Sequence, residues 1–190
     1  MRKKIFIGSV IVFFLVIGGF LLWALTPAGP APEALAALES DARVRVEMTP
    51  GWVVFQPVGV EAQTGLVFYP GGRVEYRSYA PGLRLVAEAG YLVALPWMPL
   101  NLAVFNPNRA DEIFAAYPQI ENWAVGGHSL GGAMAANYLK NHPGKGEGLV
   151  LWASYPAGSD DLSASGLKVL SISASLDGLS TPAKIADSQR

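Results

Sequence analysis

The chain has 190 residues, 51% of them hydrophobic and only 15% charged, which is enough apolar material for one packed domain and an apolar segment besides. A formal net charge of −1 excludes the basic footprint of a nucleic-acid binder, so nucleic acid is not an expected partner. Absence of cysteine excludes disulfides, thiolate metal sites and a cysteine nucleophile, and two histidines with scattered acids make no metal-ligand set.

Residues 5–25, IFIGSVIVFFLVIGGFLLWAL, run 21 positions without a charge. As a helix rising about 1.5 Å per residue they cover roughly 30 Å, the thickness of a bilayer's hydrocarbon core. Arg2, Lys3 and Lys4 precede this run, and the first charges after it are Glu33, Glu39 and Asp41. That bias predicts an uncleaved signal-anchor over residues 1–25, with the remainder on the extracytoplasmic side of the cell membrane. A cleaved signal peptide usually has a shorter apolar core, about 7–15 residues, and TPAGPAPEA offers only a poor cleavage site. All fifteen acids but only eleven of the fourteen cations follow the span, giving the exported part a formal charge of −4.

Residues 26–40 read as a linker. TPAGPAP resists helix and strand and suits a short, semi-stiff spacer, while EALAALES has room for a helical turn or two. The folded domain is expected over residues 41–190. It opens with ARVRVEM, whose alternation predicts a half-buried strand, and GWVVFQP, a second strand paired with it around TPG. Then follow GLVFYP as a short apolar run, YAPGLRLVAEAG as a helix ending at Gly90, and YLVAL as a buried strand. RADEIFAAYP predicts a helix, NWAVGG a strand, LGGAMAANYLKNHPG a helix, GLVLWAS and GLKVLSISA strands, and STPAKIADSQ a capped helix. Apolar strands alternating with helices predict an α/β fold, a mostly parallel sheet with helices on both faces, preceded by one N-terminal transmembrane helix.

Residues 127–131, GHSLG, fit G-x-S-x-G where a strand hands over to a helix. In this pattern the serine occupies a sharp turn that projects its hydroxyl, and the glycines permit neighbouring backbone to come very close. Ser129 is therefore the candidate nucleophile, against the plainer reading of a helix N-cap serine after a glycine loop. Gly132, Ala133, Ala135 and Ala136 let the following helix approach the sheet, and the Leu130 N–H at its start is free to donate to an oxyanion.

With GGHSLGG at this place in a β/α series, the chain resembles the α/β-hydrolase family, particularly its compact members. The resemblance implies a serine hydrolase with a Ser, acid, His triad in chain order, acting through an acyl-enzyme on a small-molecule carboxylic ester or related acyl compound. It also places the second oxyanion donor after the third strand, where Tyr69-Pro70-Gly71-Gly72 stands for the family's HGGG-like segment. Gly71, Gly72 or Arg73 would donate, and Tyr69 departs from the family's histidine. Asp177, in SLDGLSTP, takes the acid's place, with Asp160 and Asp161 as fallback positions; DG is also an ordinary turn pair.

The triad base is the missing part. His128 adjoins the nucleophile in sequence and should point away from it, beneath the turn. His142 lies at the far end of the helix, about 20 Å away, beyond the roughly 3 Å reach of proton transfer. The expectation is a domain incomplete at its C-terminus, with the histidine beyond Arg190 and the 190-residue chain inactive by itself. Trp97, Met98, Leu100, Leu102 and Phe105 either wall an acyl pocket or pack as a loop. Arg73 and Arg77 either steer an anionic substrate or are solvated surface charge. No cofactor is expected, since neither dinucleotide nor P-loop glycine pattern occurs. The rival function is a non-catalytic binding or scaffold protein that keeps the turn for packing.

Overall fold

The computed structural model describes residues 2–188. Helix α1 (Arg2–Leu25) contains an apolar stretch, Phe6–Leu25, of mean hydropathy 2.5, long and apolar enough to cross a membrane. Residues 6–23 are exposed, and Ala24 in the last turn is buried. After it come α2 (Pro32–Ala36), β1 (Val44–Met48), β2 (Trp52–Pro57), β3 (Thr64–Tyr69), α3 (Ala80–Glu88) and β4 (Leu92–Pro96). The second half holds α4 (Arg109–Ala116), β5 (Asn122–His128), α5 (Leu130–Asn141), β6 (Gly148–Trp152), β7 (Lys168–Ile172) and α6 (Pro182–Asp187).

The seven strands form one sheet in the order β1-β2-β4-β3-β5-β6-β7. β1 and β2 make the expected hairpin, β2 runs antiparallel to β4, and β3 to β7 are parallel to one another. Their side chains divide between two cores, as strands covered on both faces require. Val54, Val67, Tyr69 and Ala94 pack with α4 and α5 on one face; Val53, Phe55, Leu66 and Phe68 pack with α3 on the other. β7 differs, for Val169, Leu170 and Ile172 are all about half exposed or more.

Strand order also decides where a ligand can sit. The chain goes from β3 outward to β4, then crosses back to lay β5 on the other side of β3. The following helices therefore diverge at the carboxyl ends of β3 and β5, which opens a crevice there. Those ends are in register, with Tyr69 opposite Gly127.

Element ends differ from expectation for local reasons. α5 stops at Asn141 rather than running to Gly144, because Pro143 disfavours helical backbone at His142, which adopts φ −130°, ψ 66°. Three short 3-10 turns, Tyr76–Tyr79, Pro99–Asn101 and Ala103–Phe105, occupy loops in which the periodic pattern showed no element. Residues 26–31 lie against the domain instead of spanning open space: Ala28 bridges Val74, donating to the Arg73 carbonyl and accepting from the Glu75 N–H.

Candidate active site

Ser129 stands between β5 and α5 with φ 50° and ψ −121°, a conformation that non-glycine residues avoid at a cost of about 1–3 kcal/mol. Although it occupies the N-cap position of α5, its hydroxyl makes no capping bond. The plainer N-cap reading therefore does not describe it. Its backbone is held on both sides: the N–H donates to the Trp152 carbonyl at 3.0 Å, and the carbonyl accepts from Ala133 N–H and from the buried Ser154 hydroxyl at 2.7 Å.

The flanking glycines are there because backbone crowds them. A Cβ on Gly127 would come within 2.6 Å of the Tyr69 carbonyl oxygen, and one on Gly131 would strike that same oxygen more closely still. Turn and β3 end are thus pressed together, and only hydrogen at Cα fits between them.

The loop after β3 brings its own N–H groups to this point. Gly71 approaches His128 so closely that a Cβ would lie 2.5 Å from Nδ1, and its N–H donates to the Tyr79 hydroxyl at 3.0 Å. Arg73 N–H donates to the Asn101 carbonyl at 2.9 Å. Among the described residues no acceptor is found for the N–H of Gly72 or of Leu130. These two residues are neighbours, for a Cβ on Gly72 would sit 3.2 Å from Leu130 Cδ2. Of the three expected donors in the loop, Gly72 is the one whose N–H is free.

His128, the last residue of β5, packs against Gly71 and Tyr79. Its Nδ1 is 2.8 Å from the Tyr79 hydroxyl, which also accepts from the Gly71 N–H. With the imidazole protonated at Nε2, Nδ1 accepts the Tyr79 proton. Burial lowers the His128 pKa from its ordinary value, against a smaller raising influence of Asp177, and burial pushes Tyr79 up to about 12. Both groups are neutral near pH 7, and the chain Gly71 to Tyr79 to His128 ties the loop to the floor of the turn.

Asp177 lies in the loop after β7. Its carboxylate accepts from the N–H of Leu179 and Ser180 at 2.8 and 2.9 Å, and these bonds hold its pKa below the ordinary value, helped by His128 and Lys184. Ser180 is buried and donates to the Ala153 carbonyl just past β6, pinning the loop to the sheet's carboxyl edge. A cavity of about 360 Å³ beside Ser129 is lined by Leu130, Ala133, Ser154, Tyr155 and Ser180. The fallback acids are elsewhere engaged. Asp160 is buried against α5, accepting from Asn137 and pairing with Lys140 at 3.4 Å, while exposed Asp161 accepts from Ser163 N–H.

Several residues have other surroundings than their sequence suggests. Tyr69, in the place of the family's histidine, is fully buried; its hydroxyl donates to the Pro107 carbonyl and accepts from Ala110 N–H, securing the start of α4. Met98 and Leu102 are core residues, Trp97 and Phe105 are exposed, and none of the five apolar loop residues lines the cavity at Ser129. Arg77 is paired with Glu75 at 3.0 Å, and the Arg73 guanidinium bonds to the end of α1. His142 stacks on Tyr138 at the far end of α5, and among the described residues neither histidine is hydrogen-bonded to the Ser129 hydroxyl. Ser154, Ser180 and Tyr79 were missed, since nothing local marks a serine or tyrosine whose bond partner is remote in sequence.

A profile of the Alpha/beta hydrolase family matches residues 65–190. Among solved structures, the bacterial heroin esterase is similar at 22% identity and a TM-score of 0.51, over 64% of this chain and 48% of that one. The chain thus spans about half the length of that esterase. TT1662 from Thermus thermophilus is similar at 16% identity and a TM-score of 0.58, over 77% of this chain and 81% of that one. MGS-MChE2, an α/β-hydrolase enzyme from the metagenome of lagoon sediments at Mar Chica, Morocco, is similar at 17% identity and a TM-score of 0.57, over 77% and 82%. A search of curated proteins finds no match.

Proposed function

This chain belongs to the α/β-hydrolase family, and from that premise we propose that it is a membrane-anchored serine hydrolase that cleaves a carboxylic ester or related acyl bond at Ser129. The observation that carries the reading is the meeting of a strained, uncapped serine with two unengaged N–H groups, those of Leu130 and Gly72. Ser129 Oγ attacks the acyl carbonyl carbon as its proton passes to a base. The carbonyl oxygen takes up the negative charge, and the two N–H groups receive it, each such donor contributing about 3 kcal/mol to the transition state. Collapse expels the alcohol with a proton and leaves an acyl-serine, which water cleaves to the acid.

In this reading Asp177, held by two backbone N–H groups, is the acid that orients an imidazole. With His128 Nδ1 bonded to Tyr79 and His142 stacked on Tyr138 at the far end of α5, this reading assigns that imidazole to neither. Phe6–Leu25 is the anchor and the cationic N-terminus the cytoplasmic side, so the domain stands outside the cell membrane.

Supplying the base from solution makes the test specific. The 190-residue chain should turn over a p-nitrophenyl ester no faster than its Ser129→Ala variant in plain buffer. Added imidazole should then accelerate phosphonylation by a small alkyl fluorophosphonate on the order of a hundredfold, the usual scale of general-base catalysis. Intact-mass and peptide mass spectrometry should find the adduct on Ser129 and none in Ser129→Ala. A folded protein that stays unlabelled with imidazole present would count for the binding or scaffold reading instead.

A further inference from the structure

The last turn of α1 is joined to the loops that form the oxyanion side of the site. The Arg73 guanidinium donates to the carbonyls of Trp23 and Thr26, both at 2.8 Å, and lies 4.7 Å from the centre of the Trp23 ring. Asn101 Nδ2 donates to the Ala24 carbonyl at 3.0 Å. A helix end leaves its final carbonyls without intrahelical partners, and a cation there also meets the negative end of the helix dipole. Thr26 Oγ1 caps the Leu22 carbonyl, but the Trp23 and Ala24 carbonyls take their partners from the domain, so the end of α1 is fixed in place and not merely tethered by a spacer. The fixed point is one residue from Gly72.

An apolar edge continues from this joint. Phe105 packs edge-on against Phe20 of α1 with ring centres 6.4 Å apart, and both Phe105 and its neighbour Val104 are half exposed. Phe20 belongs to the stretch that is long enough to cross a bilayer. An apolar surface continuous with a membrane span, near the span's outer end, lies at the depth of lipid headgroups and upper acyl chains.

We propose that the edge formed by Val104, Phe105 and the last turns of α1 rests in the bilayer surface, and that the substrates are amphiphilic acyl esters resident in that bilayer. The occupant of the edge is the lipid surface itself. This inference rests on the anchored-hydrolase reading: the joint through Arg73 and Asn101 holds Gly72, and with it the oxyanion side of the site, against the membrane. Bulk solvent is then the poorer source of substrate.

Because the chain has no cysteine, single cysteines can be introduced cleanly. The full chain carrying Val104→Cys, or Ala164→Cys as an exposed control in a loop remote from α1, is labelled with a polarity-sensitive fluorophore and reconstituted into phosphatidylcholine vesicles. The Val104→Cys label should emit at shorter wavelength and be quenched several-fold more by doxyl-lipid than the control, and several-fold less by aqueous iodide. In Arg73→Ala, checked for folding by circular dichroism, that contrast should fall toward the control while α1 still resists carbonate extraction; Asn101→Ala serves should Arg73→Ala not fold. A long-chain alkyl fluorophosphonate dissolved in the vesicles should label Ser129 several-fold faster, with imidazole, than a short-chain probe in solution.

Equal iodide quenching at the two positions in carbonate-resistant protein overturns the inference, even if Ser129 still takes the probe. Loss of the protein on carbonate extraction overturns the anchor and the inference together. Lipid contact at Val104→Cys with an unlabelled Ser129 overturns the hydrolase reading and the substrate class with it.

Discussion

At the scale of single residues, the site concentrates backbone conformations that side chains resist. Ser129, Arg73, Leu100, Asn101 and Ala153 all have positive φ, and each lies at the carboxyl edge of the sheet or in a loop joined to it. Such conformations persist only where surrounding bonds over-determine them, as the Trp152 and Ser154 contacts do at Ser129. Ser129→Gly should relieve that strain, raising the unfolding free energy in denaturant by about 1 kcal/mol while abolishing phosphonylation. His128 gives a second prediction. Its pKa is lowered in the folded state from an ordinary value near 6.5, so the unfolded chain binds the proton more readily. Stability is therefore complete above that value and declines as pH falls through the window just below it. Asp177 also has a lowered pKa, but its contribution is present above the ordinary carboxylate value of 3.8 and is lost only at lower pH. Urea denaturation as a function of pH should show the His128 decline, and His128→Asn, which keeps an acceptor for Tyr79, should remove it.

Between elements, the site depends on a hydrogen-bonded brace. Tyr79, in the 3-10 turn Tyr76–Tyr79 that leads into α3, joins the loop after β3 to the last residue of β5 through Gly71 and His128. Its ring packs against Phe68 and His128, with centres 5.4 and 5.7 Å apart, so the hydroxyl is held by the α3-side core. Tyr79→Phe keeps the packing and deletes the link. It should cost about 1–2 kcal/mol, the penalty for leaving the Gly71 N–H and the imidazole without their partner. It should also slow imidazole-assisted phosphonylation of Ser129 several-fold, because Gly72 follows directly on the released Gly71. A purely structural tyrosine would show the stability loss without the slower labelling.

Across the whole molecule, the exposed apolar surface of the described residues includes two stretches of different character. One is the edge beside α1, where Phe105 and Phe20 are in contact. The other is β7, whose Val169, Leu170 and Ile172 are about half exposed or more, with Leu176 and Leu179 still more exposed in the loop that follows. β7 pairs with β6 on one side, and its other edge is unpaired among the described residues. An apolar strand with a free edge is a template for pairing with a second chain. Leu170→Lys should therefore reduce light scattering of concentrated, detergent-solubilised protein without lowering its thermal midpoint, since little buried contact is lost.

The amino-acid sequence by itself determined the periodic parts of this protein. Strand and helix order, the apolar helix, and a serine set between glycines at a β-to-α turn all follow from local pattern, because burial on two faces and crowding at a turn select residue types over a few neighbouring positions. Tertiary structure decided what depends on residues far apart in the chain. That β3 lies between β4 and β5, so that Tyr69 meets Gly127, is a matter of strand crossing that no local window contains. The same holds for Gly71 being engaged by Tyr79 while Gly72 is not, for Met98 and Leu102 serving the core and not the cavity, and for Arg73 capping α1. A free N–H, a buried hydroxyl or a bound guanidinium is defined by its partner, and the partner's position comes from packing and not from its distance along the sequence.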